Sequence, residues 1–190
     1  TSFIKHISDI DGINDIALTT NGINLKEHAD ALKKSGLSRL NISLDTMRAD
    51  RFSDITRGGN IQDVFDGVEE VLKVGFTGTK MNTVIMRGQN DDEILDFVRY
   101  ISERDIELRF IELMASGWKN MVDADRFIPS AEIMEKNTGD WRTGSRQGES
   151  RGWSCYDIQN EGGIGVYRIY LSSFQTFLQY LQSSETYIRW

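Results

Sequence analysis

The chain has 190 residues, one cysteine, one proline, two histidines and a formal net charge of −7. At roughly 100–200 residues per domain, that length suits one domain, or one plus part of another. A single cysteine excludes a disulfide framework, a cysteine-only zinc site, and an iron–sulfur cluster held by this chain alone, since each needs several thiolates.

A content of 39% hydrophobic and 27% charged residues is that of a folded chain rather than a disordered one. The acidic balance disfavours a nucleic-acid groove or an anionic membrane as the main partner, because both select basic surfaces. No apolar run approaches the roughly 20 residues of a membrane-spanning helix. The opening residues, Thr1 to His6, have neither a signal-peptide layout nor an initiator methionine. The expectation is a chain that starts in mid-protein or has been processed, in a cytoplasmic setting that suits its lone thiol.

Short β-type runs alternate with helical patterns along the first two-thirds. Asp15–Thr20 is an apolar run closed by the turn pair Asn21-Gly22. Leu25, Ala29 and Leu32 then recur at helical spacing, and Gly36 stops the helix. Arg39–Leu44 alternates apolar and polar as a strand does. A short helical stretch around Arg48–Ile55 ends in Arg57-Gly58-Gly59. Asn60 occupies an N-cap position before the stripe Ile61, Val64, Phe65, Val68, Val71 and Leu72, with Gly75 just past its end. Lys80–Met86 reads as a strand. Asn90 with Glu93 three residues on reads as a capping box opening a helix whose buried stripe is Ile94, Leu95, Val98 and Ile101. Glu107–Leu113 reads as the fourth strand.

Four strands separated by helices predict parallel pairing with right-handed crossovers, in an α/β barrel or an open α/β sheet. Ligand chemistry in both sits at the carboxyl ends of the strands, here Thr19–Gly22, Ser43–Asp45, Met86–Asn90 and Glu112–Gly117. After about Trp118 the pattern weakens. Phe127–Ser130 reads as a turn into a helix capped by Ser130. Residues 137–163 read as loop, Ile164–Leu171 as a strand, and Phe174, Phe177, Leu178 and Leu181 as a final amphipathic helix. The change near 118–130 is the expected domain boundary, giving domains of 1–125 and 126–190.

Several strand-end residues are not demanded by packing. Thr19, Thr20 and Asn21 offer hydroxyls and an amide beside Gly22; they suit a ligand or simply a turn that starts a helix. Alternation puts Asn41, Ser43 and Asp45 on one face, which in a barrel can point toward a ligand, although Asp45 also suits a cap. A lysine such as Lys80 on an inward face is costly unless it meets an anion such as phosphate; on an edge it would sit in solvent. Asn82 shares its facing. Arg109 and Glu112 suit an internal ion pair, or Arg109 an anion site. Met114 suits the core or a ligand contact. His6 and His28 have no metal-ligand spacing, and no Walker loop, GxGxxG or nucleophile elbow is present.

Four blocks, Asp15–Gly22, Leu37–Asp45, Lys80–Gly88 with Asn90–Glu93, and Leu108–Met114, resemble in order and spacing the GTP 3′,8-cyclase family of radical S-adenosylmethionine enzymes, which act in molybdenum cofactor biosynthesis. The resemblance covers roughly residues 8–135. It implies part of an incomplete TIM barrel of βα units, with a remnant of a C-terminal domain. In that family S-adenosylmethionine is cleaved reductively on a [4Fe–4S] cluster. The resulting radical abstracts a hydrogen from the GTP ribose, and C3′ joins C8. A downstream partner, cyclic pyranopterin monophosphate synthase, uses the product, and the complete enzyme is a homodimer.

Carried over by position, the resemblance implies GTP contacts at Thr19, Lys80 and Arg109. It implies S-adenosylmethionine contacts at Ser43 and Met114. The family's CxxxCxxC motif, its Gly-Gly-Glu-Pro block, and a C-terminal CxxC with an arginine-rich segment have no counterpart here. Gly162–Val166 resembles the approach to that last segment, and Tyr167–Trp190 departs from the family altogether. Cys155 matches no cluster position. The expectation is therefore a fragment that cannot assemble a cluster and is inactive alone. Two rival readings stay open: another radical S-adenosylmethionine enzyme with a different substrate, and a degenerate barrel that only binds.

Overall fold

The structure is a computed structural model that describes residues 1–113, 124–129 and 132–133, together with the backbone of 141–144, 154–160 and 166–172. The elements are α1 (Ser2–Ser8), β1 (Ala17–Thr20), α2 (Leu25–Lys34), β2 (Arg39–Ser43), α3 (Ala49–Thr56), α4 (Ile61–Lys73), β3 (Thr79–Ile85), α5 (Ile94–Ile101) and β4 (Ile106–Glu112). A 3-10 turn at Ala124–Arg126 follows, then β5 (Trp141–Gly144), β6 (Ser154–Asn160) and β7 (Val166–Ser172). The chain divides into two compact units, Thr1–Thr83 with Arg99–Glu107, and Val84–Val98 with Leu108–Trp190.

In the first unit β1 pairs parallel with β2, and β2 parallel with β3. Leu40, Ile42, Leu44 and Met81 are fully buried on one face of the strands, and Ala29 and Leu32 of α2 and Val64, Val68 and Val71 of α4, two helices packed on each other, are buried too. The α4 stripe has the spacing its sequence predicts, and the Asn60 side chain accepts a hydrogen bond from the Gln62 amide at 3.1 Å, satisfying one of the helix's orphan donors. Gly22, at φ +84°, turns the chain from β1 toward α2 in a conformation that side chains resist. Helix α1, seven residues with none buried, falls in a segment for which the sequence predicts no element.

The Tyr100 ring lies 5.1 Å from that of Phe65, tilted by 35°, and the Arg104 guanidinium lies 4.2 Å over the Tyr100 ring. Its hydroxyl is buried with no hydrogen-bond partner. Burial pushes the phenol up to about 12. Because the folded value lies above the unfolded one, the neutral phenol's contribution is intact below about pH 10 and is lost as pH rises toward 12. Ultraviolet titration should show Tyr100 ionising late, and Tyr100→Phe should reduce the late phase by one tyrosine without loss of stability. A destabilised Phe variant would mean that the hydroxyl is satisfied.

In the second unit β4 pairs parallel with β7, β7 antiparallel with β6, and β6 antiparallel with β5. Phe97 and Phe110 meet edge-to-face at 6.2 Å in its core. The strand expected near Ile164–Leu171 is β7. The loop expected across 137–163 is overturned in part, because β5 and β6 lie within it. Short strands in a Gly- and Ser-rich stretch have little local pattern; their pairing partners, not their own periodicity, make them strands. The capping box at Asn90 is also overturned. Helix α5 begins at Ile94. Asn90 instead donates to the Val84 carbonyl at 2.8 Å and accepts from the Met86 amide at 2.7 Å. Of the helix expected after Ser130, Glu132 and Ile133 are described and are helical, both amides donating to the Pro129 carbonyl; the helix expected around Phe174–Leu181 lies outside the described residues.

Candidate functional site

The strands of the first unit have one face buried under helices and another face that is polar and more open. Alternation sorts the residues: Thr79, Met81 and Thr83 of β3 are buried, whereas Lys80 and Asn82 between them are half-buried. On β2 the same pattern gives buried Leu40 and Ile42 against open Arg39, Asn41 and Ser43.

Register then brings distant residues together. Thr19 is opposite Asn41, and Asn41 is opposite Lys80, so the three form one cross-strand row. Neighbouring strands lie about 4.8 Å apart, which sets Thr19 and Lys80 roughly 10 Å apart across the row. Asn41 Nδ2 reaches Thr19 Oγ1 at 3.5 Å, a long contact. Lys80 is the second residue of β3, near its amino end, while Thr19 is near the carboxyl end of β1. Strand stagger makes them level, a placement that position within each strand does not reveal.

One step further along, Ser43 is opposite Asn82. The Ser43 side chain is exposed at the carboxyl end of β2. Asn82 Oδ1 is buried with no hydrogen-bond partner. A buried, unpaired amide oxygen is costly and marks a place where a donor is wanted.

Lys80 is not the solvent-facing edge lysine of the bland alternative. Its Nζ lies 3.1 Å from Glu107 Oε1, and the two side chains are only 16% and 19% exposed. The expected ion pair between Arg109 and Glu112 is not favoured by the pleat, which sets those residues on opposite faces of β4. Arg109, half-buried on β4, belongs to the second unit. Met114 lies outside the described residues. The structure thus groups Thr19, Ser43 and Lys80 on one face and adds Asn41, Asn82 and Glu107. The facing of Asn41 and Asn82 is readable from alternation. The pairing of Glu107 with Lys80 is not, because it depends on β3 and β4 being neighbours.

The sequence profile of the radical SAM superfamily matches residues 2–101. The chain belongs to this superfamily, and its parallel βα units are those of a partial TIM-type barrel. It is 48% identical over 134 residues to a protein of Alkaliphilus oremlandii (strain OhILAs) named GTP 3′,8-cyclase, covering 70% of this chain and 42% of that protein. It is 53% identical over 114 residues to a GTP 3′,8-cyclase of Lactiplantibacillus plantarum, covering 60% of this chain and 34% of that one. The chain therefore spans well under half the length of these curated relatives. Among solved structures, a radical SAM methyltransferase from Sphaerobacter thermophilus shares the fold with a TM-score of 0.50 at 18% identity, over 64% of this chain and 35% of that one.

The superfamily's cofactors are S-adenosylmethionine and a [4Fe–4S] cluster. These residues do not fit the cluster. The chain has one cysteine, Cys155 on β6, and among the described residues no group of three or more His, Cys, Asp or Glu is placed to hold a metal ion. Ser43, which is exposed, and Asn82, whose Oδ1 is buried without a hydrogen-bond partner, are neighbours across β2 and β3. Among the described residues no helix is long and apolar enough to cross a membrane.

Proposed function

We propose that this chain is the substrate-positioning part of a GTP 3′,8-cyclase, the radical S-adenosylmethionine lyase that converts GTP to 3′,8-cyclo-7,8-dihydro-GTP in molybdenum cofactor biosynthesis. The observation that carries the reading is the row of Thr19, Asn41 and Lys80 on the open face, a cation and two hydrogen-bonding groups at nucleotide scale. The name borne by relatives at 48% and 53% identity supports it.

In this reading the Lys80 ammonium meets the GTP phosphates and the Thr19 hydroxyl orients the nucleotide. Arg109 supplies a further positive charge for it. Ser43 hydrogen-bonds a polar end of S-adenosylmethionine, and Met114 packs against its adenosyl part. S-adenosylmethionine, when bound, supplies the hydrogen-abstracting chemistry; this chain's residues bind and orient. With one cysteine, the 190 residues alone are proposed to be inactive as a cyclase. The complete enzyme is proposed to be a cytoplasmic homodimer whose product passes to cyclic pyranopterin monophosphate synthase.

Calorimetric titration of GTP into the 190-residue chain tests the assignment. Lys80→Met keeps the apolar stem and removes the charge, and should weaken GTP about 10–100-fold, the worth of a charge-assisted hydrogen bond. Unchanged affinity in a folded variant would overturn the phosphate role.

A further inference from the structure

We propose that Glu107 is a positioning residue for Lys80 that restrains its charge: a carboxylate competing with the anionic ligand for the same ammonium. The inference rests on the reading of Lys80 as the phosphate-binding cation. It adds a residue to which neither alternation nor family resemblance gives a role.

The geometry carries the argument. Lys80 and Glu107 are within ion-pair distance at 3.1 Å, and both are largely withdrawn from water. Lys80 stands in the row with Asn41 and Thr19, so the pair lies on the ligand-facing side of the sheet rather than under the helices. At such a site solvent screens charge weakly, and a carboxylate beside the ammonium offsets much of its field. A simple anion arriving at Lys80 meets a pair that is close to neutral, plus the repulsion of Glu107. A ligand that also engages Thr19 and Asn41 can outweigh that opposition through its hydrogen bonds. Glu107 thereby sets a threshold that charge alone does not clear, a repulsive element that sharpens selection among anions. It also tethers a long, flexible side chain in one place, so that Lys80 is held in the row when the ligand arrives.

The test is a double-mutant cycle on the full 190-residue chain, with GTP and inorganic triphosphate as the probes. Glu107→Gln keeps the shape and the hydrogen-bonding oxygen but removes the charge. It should tighten triphosphate about tenfold or more and GTP in the same direction. In the Lys80→Met background the same change should have at most about a twofold effect, because the coupling runs through the ammonium. A merely structural Glu107 would instead give weaker binding and equal effects in both backgrounds. Should Glu107→Gln not fold, Glu107→Asp draws the carboxylate back by one methylene and should tighten triphosphate by a smaller factor. If Lys80→Met weakens GTP but neither Glu107 variant tightens triphosphate, the inference is overturned and the GTP reading stands. If Lys80→Met leaves GTP affinity unchanged, both are overturned.

Discussion

Gly67→Val should destabilise the chain by about 3 kcal/mol and lower its melting temperature by roughly 6–12 °C, and Gly67→Ala should also destabilise it. The second half of that expectation runs against the ordinary rule. Replacing a mid-helix glycine with alanine usually gains about 0.5–1 kcal/mol, because glycine forfeits more backbone entropy on folding. Here a Cβ on Gly67 would lie 2.8 Å from the Gly22 carbonyl oxygen and 2.9 Å from Leu25 Cβ, with the Lys26 amide nitrogen at 3.4 Å. The first of these is backbone and cannot swing aside. Moreover, the Gly22 carbonyl already accepts the Leu25 amide at 3.1 Å in the turn that starts α2. Overpacking costs typically about 1–3 kcal/mol, so the clash outweighs the entropy gain for alanine and adds further for the branched valine. The consequence reaches the candidate site, because the displaced turn is the continuation of Thr19 and Thr20. GTP affinity should fall in Gly67→Ala even at temperatures where the variant is folded. Thermal unfolding of the two variants decides the matter: an alanine variant more stable than the parent would show that α4 and the α2 turn are not in the close contact described.

How much of this was legible beforehand follows from what periodicity can encode. The faces of β2, β3 and β4 are written in their alternation. Leu40, Ile42, Met81, Leu108 and Phe110 had to be the covered face, and Asn41, Ser43, Lys80 and Asn82 the open one. The α4 stripe and its Asn60 cap were legible for the same reason, being local at helical spacing. What the sequence could not convey is relative height between strands. Lys80 near the start of β3 and Thr19 near the end of β1 share a row only through register, which is a property of pairs of strands. The Lys80–Glu107 contact is hidden likewise, since 27 residues separate partners that meet only when β3 and β4 lie side by side. The departures at β5 and β6 share that cause, because antiparallel partners define strands with little pattern of their own. Asn90 misled for a different reason. Asparagine caps helices because its short side chain bonds nearby backbone, and the same capacity here serves the end of a strand instead.

Asn90→Ala should cost roughly 2–3 kcal/mol, since it removes two hydrogen bonds from a buried side chain to part-buried backbone groups at once. The residue is 1% exposed. Its Nδ2 donates to the Val84 carbonyl and its Oδ1 accepts from the Met86 amide, closing a buckle over the last residues of β3. Backbone bonds from the Gln89 and Asn90 amides to the Met86 carbonyl, at 3.1 and 3.2 Å, and from the Gly88 amide to Asp91 Oδ1 at 2.7 Å, tighten the turn that presents it. Alanine keeps the turn residue small but withdraws the Asn90 side chain from the Val84 oxygen and the Met86 amide, which are only part-exposed to water. Each such loss costs about 1–3 kcal/mol, against about 1 kcal/mol for an exposed bond. Asn90→Asp separates donor from acceptor: it retains an oxygen for the Met86 amide, loses the hydrogens for Val84, and buries a charge, so it should be no better than alanine. Chemical denaturation reads the cost, and hydrogen exchange should localise it, with the Met86 amide exchanging markedly faster in both variants. The strand-end position of Asn90 also fits a ligand contact, and the two roles separate cleanly. A ligand contact would lose GTP or S-adenosylmethionine affinity at unchanged stability, whereas the buckle loses stability and Met86 protection first. Full stability in Asn90→Ala would return the residue to the list of ligand candidates and leave the end of β3 needing another fastening.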